Sequence, residues 1–242
     1  MNDSDTPKRV PRWRLVFDVG STVVLIALAG VIVWQNHARV VETPAVRPRL
    51  SEDPLPTTPI SIATNATLGS ASARVAIIEY SDFECPACGA FARDLKPTLI
   101  REYVDKGQVA FVFKHFPLPI HSRAQSAAEA AWCAGQQGKF WDVHDRFFAS
   151  AKAGLQESVL QAVASDVGLD AAAYNSCRAG DETSKRVLAD RDEGRSANVN
   201  VRATPTFYFG KIGSDRRVQA TDVMVGARSI GAFRAILDRL LK

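Results

Sequence analysis

Apolar residues along this chain fall into three regimes. Residues 19–36, VGSTVVLIALAGVIVWQN, run for 18 positions without a charge. At about 1.5 Å per residue a helix of that length spans roughly 27 Å, near the thickness of a bilayer core. Residues 44–59 hold five prolines, a composition that favours an extended, donor-poor spacer. From about Ile60 onward the apolar positions become periodic. Residues 74–80, RVAIIEY, are nearly apolar throughout and predict a central strand. A helix follows over about 86–103, with Leu95, Leu99 and Tyr103 at helical spacing and Gly107 beyond its end. Pro97 inside it predicts a kink. Residues 109–113, VAFVF, predict a second strand, parallel to the first as in a β-α-β unit.

From about 122 to 198 the pattern is helical and rich in alanine. Leu155, Val159, Leu160, Val163 and Val167 mark one face, with Gly168 and Gly180 as stops. Residues 206–209, TFYF, and 217–224 predict a hairpin, and Ile230, Phe233, Ile236, Leu237, Leu240 and Leu241 an amphipathic terminal helix. The order β-α-β, helical block, β-β-α describes an α/β domain over residues 60–242. Its single small sheet is interrupted by a helical insertion at about 119–198.

Composition changes the picture in one respect. With 46% hydrophobic and 23% charged residues the chain can bury a core, which excludes a disordered polymer. The formal +4 charge divides unevenly. Residues 1–49 carry seven basic against four acidic groups, and the remainder 23 against 22. A near-neutral body gives no footing for nucleic acid. Lys8, Arg9, Arg12 and Arg14 precede the apolar run while only Arg39 lies close after it. That bias puts residues 1–18 in the cytoplasm, a single-pass anchor at 19–36 in the cell membrane, and a Pro-rich linker at 37–59 outside. The domain then lies on the periplasmic side. A cleaved signal peptide is the rival reading, although the run is long for one and no small-x-small site follows it promptly.

The chemistry concentrates between the first strand and its helix, at Ser81-Asp82-Phe83-Glu84-Cys85-Pro86-Ala87-Cys88. Cysteines at i and i+3 on a first helical turn share a face and can close a small disulfide ring. Free backbone N–H groups and the macrodipole at a helix N-terminus stabilise a thiolate on the first of them. Pro86 suits the first helical position. Zinc is the competing use of a CxxC, but no second CxxC exists and His115 and His121 lie outside finger spacing. A structural bridge is the other, though so small a loop gains little entropy. A redox pair without metal or organic cofactor fits best. Glu79, a carboxylate on an otherwise apolar strand, needs a partner or a role. Lys114, at the end of the neighbouring strand, is the expected partner, and solvent exposure at a sheet edge the alternative.

These residues resemble the DsbA-like thiol–disulfide oxidoreductases of the thioredoxin superfamily. The resemblance covers roughly residues 60–242. It rests on Glu79-Tyr80-Ser81-Asp82-Phe83-Glu84-Cys85-Pro86-Ala87-Cys88, Phe116-Pro117-Leu118, Ala131-Trp132-Cys133 with Gly138-Lys139-Phe140-Trp141, and Ala203-Thr204-Pro205-Thr206-Phe207, in that order. It implies a thioredoxin fold with an inserted helical domain. It further implies that Cys85 is the exposed nucleophile, Cys88 the buried resolving thiol, and Thr204-Pro205 a cis-proline loop against the disulfide. Residue counts alone would make Pro205 an ordinary trans strand starter. Phe83, Pro86, Ala87, Phe116, Leu118, Thr204 and Pro205 are the expected substrate groove. With 85–88 assigned to the motif, Cys133 and Cys177 remain as a second pair, a structural disulfide as in some relatives or two buried thiols.

The implied activity is oxidation of dithiols in secreted or envelope proteins, with a membrane quinone-linked oxidase of the DsbB or VKOR type as recycling partner. The same site run in reverse, as a reductase or isomerase, is the alternative, and a non-catalytic envelope chaperone a more distant one. One departure is specific. Ala87 stands where many strongly oxidising relatives carry histidine, and Asp82 and Glu84 add negative charge near Cys85. Both changes predict a weaker oxidant.

Overall fold

The computed structural model describes residues 54–242. The expected membrane anchor at 19–36 and most of the linker at 37–59 lie outside the described residues. Among the described residues no helix is long and apolar enough to cross a membrane.

The central strand β3 (Val75–Ser81) is buried at every position, as its uninterrupted apolar run requires. It pairs in parallel with β4 (Val109–His115) and antiparallel with β5 (Thr206–Ile212). β5 continues into β6 (Arg217–Val225) as the expected hairpin, with a register shift at Phe209/Gly210. Two short edge strands, β1 (Ile60–Ser61) and β2 (Thr67–Leu68), complete a six-stranded sheet of order β1-β6-β5-β3-β4-β2.

The helix expected over 86–103 is interrupted rather than merely kinked. α1 (Pro86–Asp94) ends at Leu95, whose φ of −114° breaks the ladder. α2 (Lys96–Leu99) starts afresh and runs into a wider π turn at Ile100–Val104. The break places Pro97 in a first turn, where its missing N–H and fixed φ cost nothing. The helical insertion comprises α3 (Ala124–Gly135), α4 (Phe140–Ser150), α5 (Glu157–Asp166), α6 (Ala171–Ala179) and α7 (Asp181–Arg195). Gly168, with φ of +74°, ends α5 in the left-handed conformation glycine favours. α8 (Ile230–Leu240) closes the chain.

Strand parity divides the core. Val75, Ile77, Phe111, Phe207 and Phe209 pack on one face with Phe91 and the apolar stripe of α8. Ala76, Ile78, Tyr80, Val112, Phe116 and Tyr208 pack on the other. The insertion builds its own cluster around Phe83, Phe113, Phe147, Phe148 and Tyr174, and both Cys85 and Cys88 belong to it. Cys133 on α3 and Cys177 on α6 form a disulfide that ties two insertion helices together.

Candidate functional site

The site begins where β3 ends. Asp82 Oδ1 accepts the Glu84 N–H at 2.8 Å, and the Asp82 carbonyl accepts the Cys85 N–H at 3.1 Å. This turn delivers Cys85 as the N-cap of α1 with Pro86 in its first turn. Cys85 and Cys88 are both thiols here. Cys85 is 7% exposed and Cys88 fully covered. The first cysteine is thus more sheltered than an exposed nucleophile, yet it keeps the outer place of the two. Pro86 and Ala87 are solvent-facing.

The two sulfurs differ chemically. Cys85 is pulled down from 9.0 to about 5, first by the hydrogen bond from the Cys88 thiol, against the opposing effect of burial. Thr204 and the backbone N–H groups of Cys88 and Ala87 add to the pull, as a helix N-terminus should. Asp82 and Glu84 are not among these causes. Cys88 is pushed well above its ordinary value by burial, by Cys85 and by the charge on Glu79. The Thr204–Pro205 bond is cis, and the Cys85 thiol lies 3.4 Å from the Thr204 carbonyl oxygen it donates to.

Glu79 lies beneath the pair, 1% exposed. Neither of its oxygens has a partner at hydrogen-bond geometry. Burial raises its carboxyl from 4.5 to about 7, against weaker downward pulls from Ser81 and Lys96. The Ser81 hydroxyl likewise lacks a hydrogen-bonded partner, so its pull is at most a longer-range one.

Several expected assignments change. Lys114 is not the partner of Glu79. In the parallel register Glu79 faces Phe113 while Lys114 faces Tyr80, so the two side chains occupy opposite faces of the sheet. Lys114 Nζ instead meets Glu193 at 2.6 Å and Asp190 at 3.3 Å, both on α7. Phe83 and Phe116 are interior, at 1% and 2% exposure, and offer no groove surface. Phe83 fills the space between turn and insertion, its ring 5.0 Å from Phe148, 5.3 Å from Phe113 and 5.5 Å from Phe147. Phe116 packs edge-on to Tyr80 and lies so close to α7 that a Cβ on Gly194 would sit 2.7 Å from its ring. Leu118 is half-buried against the same cluster. Pro86 and Ala87 follow Cys85 on α1 and are exposed, and Thr204 touches it through its carbonyl.

Residue patterns missed Asp82 as an organiser. At 2% exposure, its Oδ2 accepts the Leu118 N–H at 2.8 Å and lies 2.8 Å from His121 Nδ1. One carboxylate therefore fastens the loop after β4 to the redox turn, and Ile120 at that loop's tip is 83% exposed. An Asp two residues before a bonded N–H is a turn signature, but nothing in the chain's pattern announces His121. A cavity of about 340 Å³ between β2, β4 and the insertion, walled by Trp132, Phe140 and Trp141, contains neither redox cysteine. Among the described residues no group of three or more His, Cys, Asp or Glu is placed to hold a metal ion.

A thiol drawn toward its thiolate, a buried thiol behind it and the carbonyl of Thr204, before the cis-proline, in contact are an arrangement suited to thiol–disulfide exchange. A family model described as thioredoxin matches residues 61–222, and the chain belongs to that family. It is 36% identical over 141 residues to a Salinispora tropica protein named Na(+)/H(+) antiporter NhaA 3, covering 58% of this chain and 21% of that one. It is 28% identical over 155 residues to disulfide bond formation protein D of Bacillus subtilis, covering 61% and 68%. The chain thus spans about a fifth of the antiporter relative's length. Among solved structures, alpha-DsbA1 of Wolbachia pipientis superposes with a TM-score of 0.67 at 22% identity, over 75% of this chain and 93% of that one. That likeness concerns the fold.

Proposed function

We propose that this protein oxidises pairs of thiols in extracytoplasmic proteins through the Cys85–Cys88 disulfide. A substrate thiolate attacks Cys85 Sγ, the Cys85–Cys88 bond breaks, and Cys88 leaves and takes up a proton. A second substrate thiolate then attacks the substrate sulfur of the mixed disulfide and expels Cys85 as a thiolate. The substrate loses two electrons, and the cysteine pair gains them. A membrane quinone-linked oxidase of the DsbB or VKOR type is the proposed acceptor that restores the disulfide. The apolar run at 19–36 and the basic residues before it support an anchor holding the domain outside the cell membrane.

One observation carries the direction: the descent of Cys85 to about 5. A thiolate stabilised in this way is a good leaving group and makes its disulfide the less stable form, so the pair oxidises others. The name of the Bacillus subtilis relative points the same way. The absence of histidine at Ala87 supports an oxidant of intermediate strength. Titration against glutathione buffers tests this, with a potential between about −120 and −200 mV expected. A value near −270 mV, with the pair reduced in cells, would assign the reverse reaction instead. Retained function in Cys85→Ser would make the protein a chaperone.

A further inference from the structure

The cavity of about 340 Å³ between β2, β4 and the insertion has no part in the exchange just described, since neither redox cysteine lines it. Its walls come from three helices and two strands. Trp132 stands near the end of α3, Phe140 and Trp141 open α4, and Arg186 and Asp190 lie four residues apart on one face of α7. Phe113 and His115 of β4, with the residues leading into β2, supply the rest. Phe113 and Phe140 are buried, whereas both tryptophans are half-buried and leave indole surface uncovered. A hollow of this volume, with aromatic walls and a few convergent polar groups, is of the kind that takes a small ligand.

The polar groups on those walls are not equally engaged. Asp190 is: its oxygens take Lys114 Nζ at 3.3 Å, Asn65 Nδ2 at 2.9 Å and the His115 N–H at 3.1 Å. Arg186 is not. Among the described residues the one acid within 4.0 Å of it is Glu182, at that limit and beyond hydrogen-bond distance. With its side chain 39% exposed, the guanidinium stands between cavity and solvent with its donors open. His115 is 4% exposed, and its Nδ1 has no hydrogen-bond partner. Burial holds this ring at about 4, so it is neutral near pH 7 and leaves a buried polar atom unsatisfied, a cost that a ligand can remove. No side chain caps α4 at Lys139, and the free N–H groups of that first turn add positive potential beside Phe140 and Trp141. Asp142, the acid in the turn, pairs with Lys139 at 3.3 Å.

We propose that this cavity binds a small planar aromatic carboxylate, its ring among Trp132, Phe140 and Trp141, its carboxylate on Arg186, and a polar group at its inner end on the His115 imidazole. Charge decides the sign of the ligand. An unbonded guanidinium and a helix N-terminus favour an anion, the acid on the walls is already neutralised by Lys114, and a cation would meet Arg186. Shape decides its class, because flat indole and phenyl faces offer most area to a flat ring. A planar guanidinium matches a carboxylate by two parallel hydrogen bonds. The site is separate from the redox pair and does not depend on the exchange reading.

The test is calorimetric titration of the full chain with para-hydroxybenzoate. Saturable one-to-one binding is expected, weakened about tenfold in Arg186→Gln and lost in Ala189→Trp, which fills the cavity from α7. The uncharged analogue para-cresol should bind weakly, and equally to wild type and Arg186→Gln. The indole N–H resonances of Trp132 and Trp141, identified by loss in Trp132→Phe and Trp141→Phe, should shift along the same saturation curve. Alkylation of Cys85 with iodoacetamide should leave the affinity unchanged. Arg186 has no hydrogen bond to lose, so Arg186→Gln keeps the test decisive if Ala189→Trp does not fold. Absence of saturable binding at millimolar concentration, tighter binding of para-hydroxybenzylamine than of the carboxylate, or affinity lost on Cys85 alkylation overturns the assignment.

Discussion

The descent of Cys85 has a consequence for stability that can be measured without any substrate. In the unfolded dithiol chain this cysteine titrates near 9.0, and in the folded chain near 5. Between those values the unfolded state binds the proton and the folded state does not, so stability rises with pH across the window. It is lost as pH falls through about 5. The limiting slope for one proton is about 1.4 kcal/mol per pH unit. Cys85 keeps a solvent-facing side, and screening lowers the gain, so about 1–2 kcal/mol is expected between pH 5 and pH 7. The disulfide form has no thiol to titrate, and the comparison is therefore internal. Urea unfolding of both redox forms at several pH values should show the reduced form gaining on the oxidised form as pH rises. Cys85→Ser, which has no disulfide form, should lack the rise of the reduced wild type's stability with pH. Iodoacetamide alkylation of the reduced protein should report the same midpoint, with thiolate about a hundredfold over thiol at pH 7. A reactive thiol with a midpoint above pH 8, or a stability difference flat from pH 5 to pH 7, would refute the reasoning.

Three further outcomes follow from the geometry. Glu79 is raised from 4.5 to about 7, so its contribution destabilises the fold as pH climbs through that range; Glu79→Gln should flatten the loss in thermal melts between pH 4.5 and pH 7. Lys114→Met strips a buried charge from Asp190 and Glu193 and should cost roughly 2–4 kcal/mol in urea unfolding, with Cys85 alkylation unchanged at each pH. Cys133→Ser opens a loop of 44 residues, worth about 4 kcal/mol in the chain-entropy account, and should lower the melting temperature with the Cys85–Cys88 potential intact.

The redox turn was legible because three signals coincide there: an apolar strand ends, a helical period begins, and the cysteines bracket Pro86. The hairpin, the parallel β3–β4 pair and the helical insertion were legible from period alone. The edge strands β1 and β2 were not, since two residues carry no period and their pairing depends on β6 and β4. The expected pairing of Lys114 with Glu79 follows from its place at the end of the neighbouring strand, where parity decides: one step along β4 moves a side chain to the other face. Phe83 was misread for a similar reason. Adjacency to Cys85 says nothing about direction, and its ring turns inward to fill the insertion's cluster. The cis bond before Pro205 was reachable only by resemblance, because no local pattern distinguishes it.

The two buried lysines show what the insertion does for the sheet it interrupts. Lys114 lies on one face and meets α7, where Glu193 and Asp190 both approach it and His115 N–H also binds Asp190. That face carries two acids for one cation, and Tyr80 adds its hydroxyl to Glu193 at 3.0 Å. Lys96 lies on the other face and meets α4, where its single acid, Asp145, opens to water. That pair is balanced, one acid for one cation at 2.5 Å, while Glu79 on the same face has no partner at hydrogen-bond geometry and is raised by burial to about 7. The same insertion thus pairs the buried lysine on each side of the sheet and leaves the carboxyl beneath Cys88 without a partner at hydrogen-bond geometry. That asymmetry places a carboxyl that titrates near 7 where a proton must be exchanged.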